Sequence, residues 1–480
     1  MNVILIIFYI VISYIIYSGY QKLKVSNEKQ IDGPIPLPVI GNLHQVCNMS
    51  KQSFENMLNL YKKIVRIHVG DITYITAHDP VLIKEIYVDN FENFANRPDV
   101  PVKSFHGNLG IGTSSGQAWK ENRRVLSQSL KKINIKHIYK CIEDETQLFI
   151  YAMNEHAIAK KPFNPLKHSI NYLLKIFSKY MLNESLDLND ENVQKEFIIP
   201  MNKIFNLFGK GNPAEAIDIL KPFYSFYLKY FEKNPKLFND YFTKKVYEHL
   251  DTYDPNECRD LVDLLIKEFR DSDPDYIERI AANCKDIIIG GIETSVNANT
   301  NIFMMASNYP EVQEKVHSEI KSVVGKDRNV VNIEDRQYLP YTVAFIKESL
   351  RYRSPTAFSL PRVAKNDIII NDQYFIPKDA IISVNQHALS MNKEYYDNPE
   401  EFDPTRFLKD PHNPAFLPFT LGPRNCVGKN FSLDELFLFV SNIFLNFKIM
   451  STDGKKIDES IKYGIVQSEY KDFDYLLEKR

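Results

Sequence analysis

"PFTLGPRNCVGKNF" (418–431) sets a single cysteine, Cys426, among Pro, Gly and Asn, with Arg424 two positions before it. Glycines at 422 and 428 allow backbone N–H groups to approach a sulfur closely. The chain has five cysteines, Cys47, Cys141, Cys258, Cys284 and Cys426. Their odd number and wide scatter argue against a disulfide framework and for a reducing compartment. A lone cysteine is more often a small buried hydrophobe than a ligand. A zinc site needs about four Cys or His ligands at short spacings, and none stand near Cys426. Covalent c-type haem needs C-x-x-C-H, which is absent. Nucleophilic catalysis needs a histidine partner that sequence alone does not place. A single thiolate can instead be the axial ligand of haem iron, held by a loop whose N–H groups moderate its charge.

The rest of the chain sets the frame for that loop. With 59 basic and 61 acidic residues among 480, the net charge of −2 gives no support for a nucleic-acid binder. Most of the periodicity is helical, as in "SFENMLNLYKKI" and almost all of 211–300. "VRIHVG", "ITYITA" and "DIIINDQYFIPKDAIISVN" read as short strands. A mainly α protein is therefore expected, with a small β-sheet region built from strands near 64–77 and 367–385. Strands so distant in sequence favour one intertwined domain over three.

The first twenty residues, "MNVILIIFYIVISYIIYSGY", carry no charged side chain, and at about 1.5 Å per residue they are long enough to cross a bilayer of roughly 30 Å. A basic n-region and an A-x-A site are both missing, which disfavours a cleaved signal peptide. Residues 1–20 are thus expected to be a transmembrane anchor. Lys22, Lys24 and Lys29 would keep the bulk of the chain cytosolic. Residues 21–42 form a basic and Pro-rich hinge, in which Pro34, Pro36 and Pro38 favour an extended connector. Residues 43–480 form the remaining domain.

One long helix is expected from Asp275 to Asn308, on the order of 50 Å. Gly290 and Gly291 interrupt it, each costing about 1 kcal/mol relative to Ala. With Thr294 they form a small face that either admits a flat ligand or packs closely on another helix, Thr294 then bonding the carbonyl of residue 290. Further on, Glu348 and Arg351 are spaced i, i+3 before Pro355, and Arg406 follows in a Pro-punctuated stretch.

"FTLGPRNCVG" resembles the haem-ligand loop of the cytochromes P450, F-x-x-G-x-R-x-C-x-G. In chain order, the Pro hinge, "FANRP", "GQAWKENRR", "GGIETS", "ESLR" and "DPTRF" are similar to that family's Pro run, B–C entry, W-x-x-x-R, A/G-G-x-D/E-T-T/S, E-x-x-R and P-x-R-F motifs. The resemblance covers nearly the whole chain. Thr420 and Glu293 depart from the commoner Ser, Gly or Asn and Asp, and the loop is expected to tolerate the threonine.

The resemblance implies a haem-thiolate catalytic domain that binds haem b (iron protoporphyrin IX) with Cys426 as the metal ligand. Trp119, Arg123, Arg362, Arg424 and Arg97 match positions that bind the propionates, and Phe419 packs near the sulfur. Thr294 and Glu293 would organise protons for dioxygen, and Glu348, Arg351 and Arg406 would form a structural triad. The implied reaction is monooxygenation of an apolar small-molecule substrate by O2. Electrons would come from an NADPH–cytochrome P450 reductase at the endoplasmic reticulum membrane. Lys120, Arg124, Lys131, Lys132 and Lys429 are candidates for its docking patch. Phe105, His106, Phe358 and Leu360 are candidate pocket residues, and Phe223, Phe226, Tyr227 and Tyr230 share a face read as core in preference to a membrane-dipping lid. Two readings remain beside this one. A P450-fold hydroperoxide isomerase or lyase would have no use for the Thr294 hydroxyl, and a non-catalytic haem-binding sensor would not need the proton-relay pair.

Overall fold

Proline decides where several helices begin: Pro165, Pro310 and Pro340 each stand in a first turn, where a missing N–H is no loss. The computed structural model describes residues 3–24, 28–46, 60–61, 63–99, 108–131, 136–210, 212–326, 328–460 and 473–480. Among its longer elements, α1 runs Val3–Leu23, followed by β1 (Ile64–Val69) and β2 (Ile72–Ala77). Next come α2 (Gly116–Ser129), α3 (Lys136–Ala159), α4 (Pro165–Leu182), α5 (Lys221–Phe231), α6 (Asn234–Asp251), α7 (Leu261–Phe269) and α8 (Tyr276–Asn308). Then α9 (Pro310–Val324) and α10 (Pro340–Tyr352) lead into β3 (Arg362–Val363), β4 (Ile368–Ile370), β5 (Tyr374–Ile376) and β6 (Ile381–Val384). After the cysteine loop come α11 (Lys429–Asn446), β7 (Phe447–Ser451) and β8 (Tyr475–Lys479).

Helix α8, 33 residues long, runs through the helical core against α4 and α6. Aromatic rings lock it there: Phe303 lies 6.2 Å from Phe149 and 6.4 Å from Phe439, which are themselves 4.9 Å apart. Three of the expected strands, β1, β2 and β6, pair across the chain and are joined by β3 from outside the expected stretches, in the order β1-β2-β6-β3, with β2 and β6 parallel from Tyr74↔Ile381 to Ala77↔Val384. A second apolar cluster, including Ile75, Ile83, Phe94 and Ile382, fills the sheet side. Strands β4 and β5 form a two-stranded sheet, bridged at Phe375 to Gln30, and β7 pairs with β8, a sheet that the sequence reading did not foresee.

Among the described residues no helix is long and apolar enough to cross a membrane, so the expected span at 1–20, whose first residues lie outside them, is not supported there. The side chains of residues 1–7 and 11 lie outside the described residues. At the other end of α1, a polar stripe docks on the β1–β2 turn. Lys22 bonds Asp71 at 2.9 Å, Ser18 at 2.5 Å and the Val39 carbonyl at 3.2 Å, and the Tyr14 hydroxyl reaches Asp71 at 3.0 Å. The Pro-rich stretch is non-helical, as expected, and is fastened to the sheet by Arg66 N donating to Asp32 O at 3.0 Å. Helix α5 is a correction. Phe223 and Phe226 are 72% and 58% exposed, and Tyr227 and Tyr230 are exposed too, because Tyr224 and Leu228 form its buried edge instead. Most of "SFENMLNLYKKI" lies outside the described residues.

Candidate functional site

Two left-handed residues shape the cysteine loop. Thr420 has φ +55° and Gly422 φ +79°, and a Cβ on Gly422 would stand 2.2 Å from the Tyr87 carbonyl oxygen. Asn425 N donates to Gly422 O at 3.0 Å, and Cys426 N to Phe419 O at 3.0 Å, closing the turn around the cysteine. Gln386 staples its start, Nε2 donating to Leu417 O at 2.9 Å and Pro418 O at 2.8 Å. Cys426 retains accessible surface, yet burial pushes its thiol pKa up against the pull of Gly428 N–H, Arg123 and Lys429. A sulfur lining an interior cavity satisfies both observations.

Four arginines gather beside this loop. Arg424 is buried, its guanidinium 4.4 Å over the Trp119 ring, with Nη2 donating to Ser114 O at 2.5 Å. Arg362 is buried over the Tyr87 ring at 3.6 Å. Arg97 donates from Nε to Gly112 O at 3.0 Å and from Nη1 to the carbonyls of Leu360 and Pro361 at 2.9 and 2.8 Å. Arg123 is tied to the loop itself, through both the carbonyl and the side chain of Asn425. Burial, together with the charges of Arg97, Arg362 and Arg123, pushes Arg424 down to about 8. Among the described residues, Arg362 Nη1 and Arg424 Nε and Nη1 are buried with no acceptor. Buried guanidinium nitrogens without acceptors call for an anion.

The glycine pair of α8 divides its labour. A Cβ on Gly290 would meet nothing within 4 Å, whereas one on Gly291 would stand 2.4 Å from the Phe177 ring. Gly290 therefore leaves an open groove beside the helix, and Gly291 permits the close packing against α4 that one of the two sequence alternatives expected. Phe177 in turn lies 5.8 Å from Phe431 on α11, which connects the central helix to the helix that follows Cys426. Thr294 Oγ1 donates to Gly290 O at 2.6 Å, and Glu293 is buried. Elsewhere, Arg351 grips Glu348 through two bonds of 2.7 Å, and Arg406 Nε adds a third at 3.1 Å.

A cytochrome P450 family profile matches residues 31–473. The chain belongs to the cytochrome P450 family. It is 40% identical to the proteins named probable cytochrome P450 508A2 and probable cytochrome P450 508A1 of Dictyostelium discoideum, over 99% of each chain. It is 31% identical, over the full length of both chains, to probable cytochrome P450 519E1 of the same organism. P450 proteins bind haem and are in general haem-thiolate monooxygenases. The residues here fit that group: a lone accessible thiol in a tight loop, and orphaned guanidinium nitrogens suited to two propionates.

Other candidates of the P450 site are placed less directly. Lys120 and Arg124 already pair with Glu92 at 3.4 Å and Glu268 at 2.6 Å, and Lys132 lies outside the described residues, as do Phe105 and His106. Leu360 is exposed, and Phe358 bridges to Asn385. The sequence reading missed Gln386, Asn425 and Tyr87, which fix the loop and the arginines. The Asn425 contact was signalled only by its place beside the cysteine. The other two lie at least forty residues away and carry no local mark.

Proposed function

We propose that this P450 inserts one atom of O2 into an apolar small molecule, using electrons from NADPH delivered by a cytochrome P450 reductase. The observation that carries this reading is the accessible Cys426 thiol beside orphaned buried guanidiniums. Haem b, when bound, supplies the oxygen activation and the oxidation of a substrate C–H bond.

The chain's own residues bind, orient and move protons. Cys426 would ligate as thiolate, with the Gly428 N–H and the nearby Arg123 and Lys429 charges stabilising the sulfur's negative charge. Arg362 and Arg424 would hold the propionates through their unpartnered nitrogens, with Arg97 beside them. Arg123 and Trp119 act one step back, the first bracing Asn425 and the second supporting Arg424. Thr294 Oγ1, parked on Gly290 O, is placed to pass a proton along the groove that Gly290 opens, and Glu293 is its neighbouring proton source. Glu348, Arg351 and Arg406 support folding and haem retention. Lys131 and Lys429 remain the proposed contacts for the reductase, together with the paired Lys120 and Arg124. The reading places the reaction at the endoplasmic reticulum membrane, supported by the uncharged sequence of residues 1–20.

The test is the carbon monoxide difference spectrum of the reduced protein beside that of Cys426→Ala. A thiolate-type Soret band in the wild type alone is expected; the same spectrum from both proteins would remove the assignment.

A further inference from the structure

The 356–359 segment runs beside the end of β6. Ser359 N donates to Val384 O at 2.9 Å, Val384 N to Ser359 Oγ at 2.9 Å, and Gln386 N to Ala357 O at 2.9 Å. Gln386 then opens the short helix Gln386–Ser390, which is held at both ends. At its start Asn385 N donates to Ala77 O at 2.9 Å, and at its end Ser390 O accepts from Arg351 Nη1 at 2.8 Å. The backbone of Gln386 therefore stands on rigid elements, which is what a positioning side chain requires.

From this frame the Gln386 side chain, in a residue 4% exposed, reaches in two directions. Its Oε1 accepts from Thr356 Oγ1 at 2.7 Å, while Nε2 donates to Leu417 O at 2.9 Å and to Pro418 O at 2.8 Å. These partners fix the orientation of the amide, because a flipped group would set its oxygen against two carbonyl oxygens. Leu417 O also accepts from Thr420 N at 3.0 Å, which closes a turn, and within that turn Phe419 O accepts from Cys426 N at 3.0 Å. One amide thus spans from the 356–359 segment to the turn whose carbonyl holds the N–H of the cysteine.

We propose that Gln386 is a positioning residue for Cys426: its amide clamps the 417–420 turn to the 356–359 segment and so sets how firmly the loop presents the sulfur to haem iron. The proposal rests on the proposed haem site and adds a residue that touches no reacting atom. Thr356 acts through it. An amide whose oxygen is already engaged cannot turn away from the loop, so its two N–H bonds keep their direction. Their loss leaves two carbonyl oxygens short of a donor and frees the turn to shift. A shifted turn moves Phe419 O, and with it the partner of the Cys426 N–H.

The experiment compares ferric holoenzyme of the wild type, Gln386→Met, Thr356→Val and the double variant. Methionine matches the shape of glutamine without its donors. Amide hydrogen exchange at 419–426 is followed relative to that of α9. After reduction under carbon monoxide, the rate at which the thiolate-type Soret band gives way to the neutral-thiol type is followed as well. Gln386→Met should speed both about tenfold or more and leave exchange in α9 unchanged. Thr356→Val should speed both about threefold and add nothing in the methionine background, since residues that act through one contact are not additive.

Wild-type exchange and conversion in Gln386→Met overturn the proposal, as does a Thr356→Val effect that persists undiminished in the double variant. Exchange that rises equally in α9 marks a general loss of stability and overturns it too. If Gln386→Met does not fold, Thr356→Val decides, a wild-type rate of conversion overturning the clamp. Haem content is read on the same samples: a wild type that binds no haem removes the proposed function, while exchange at 419–426 still reports on the clamp.

Discussion

Arg351 and Glu348, three residues apart on α10, meet through two parallel N–H···O bonds of 2.7 Å with both side chains fully buried. Arg351 Nη1 also reaches the carbonyls of Ser390 and Pro399, each at 2.8 Å, and Glu348 Oε1 accepts from Asp403 N at 2.8 Å. The pair thereby pins the irregular 390–406 stretch to the helix. Removing one partner of a buried pair leaves the other charge uncompensated, at about 3–5 kcal/mol. Glu348→Gln and Arg351→Ala should each lose that much in urea unfolding and shed haem on mild heating. Lysine at 351 restores charge without the fork and should recover only part. A wild-type unfolding midpoint in Glu348→Gln would count against this account.

Thr420 bears on the tolerance expected of its loop. A β-branched residue at φ +55° is held in a sparsely populated region, at a cost of order 1–3 kcal/mol. Thr420→Gly relieves that strain and adds flexibility to the unfolded chain, for a net gain of about 1 kcal/mol. Gly422→Ala should do the reverse, since its Cβ would meet the Tyr87 carbonyl. Urea midpoints at equal haem content separate the two; a threonine protein more stable than its glycine variant would refute the strain.

Thr294→Ala removes the hydroxyl on the Gly290 carbonyl without altering the cysteine loop. The carbon monoxide spectrum should stay that of the wild type, while product formed per NADPH falls by about a hundredfold. Thr294→Ser should restore most of it. Undiminished product from the alanine variant would strip Thr294 of its proton role.

His249 gives a pH dependence remote from the haem site. Its Nδ1 lies 2.9 Å from Lys245 O and its Nε2 2.9 Å from Asp260 Oδ2, so both ring nitrogens can donate when the ring is protonated. Burial pulls its pKa down, but the Asp260 hydrogen bond and charge, the Lys245 carbonyl and Asp263 together raise it above the ordinary value. The stabilisation is complete below roughly pH 6.5 and is lost as pH rises through the higher folded-state value. His249→Gln should flatten the stability profile across that window. Asp263, although close enough to join a metal site, is already gripped by Arg259 at 2.6 and 2.8 Å.

Features that a few consecutive residues encode were legible in the sequence. Cys426 with its glycines, Glu348 with Arg351, and the Gly290–Thr294 step all depend on local spacing, and each takes the expected geometry. Contacts between distant segments left no such mark. Asp286 meets Gly112 across 174 positions, a contact that needs the fold before it can be seen. Helix α5 was misread for another reason. Periodicity shows which residues share a face but not which face is covered, and Tyr224 with Leu228 took the inner one. The bond of Arg123 to Asn425 likewise needed the folded loop before it could be seen.

The parallel partnership of Tyr74 with Ile381 has a consequence for how the protein is made. A ribosome adding about 5–20 residues per second needs roughly 15–60 s to travel from one to the other. Throughout that interval the nascent hairpin presents an unmated edge, a template for adhesion to other chains. Chaperone cover for the early translation product, rather than faster synthesis, should therefore set the yield of soluble material in a foreign host.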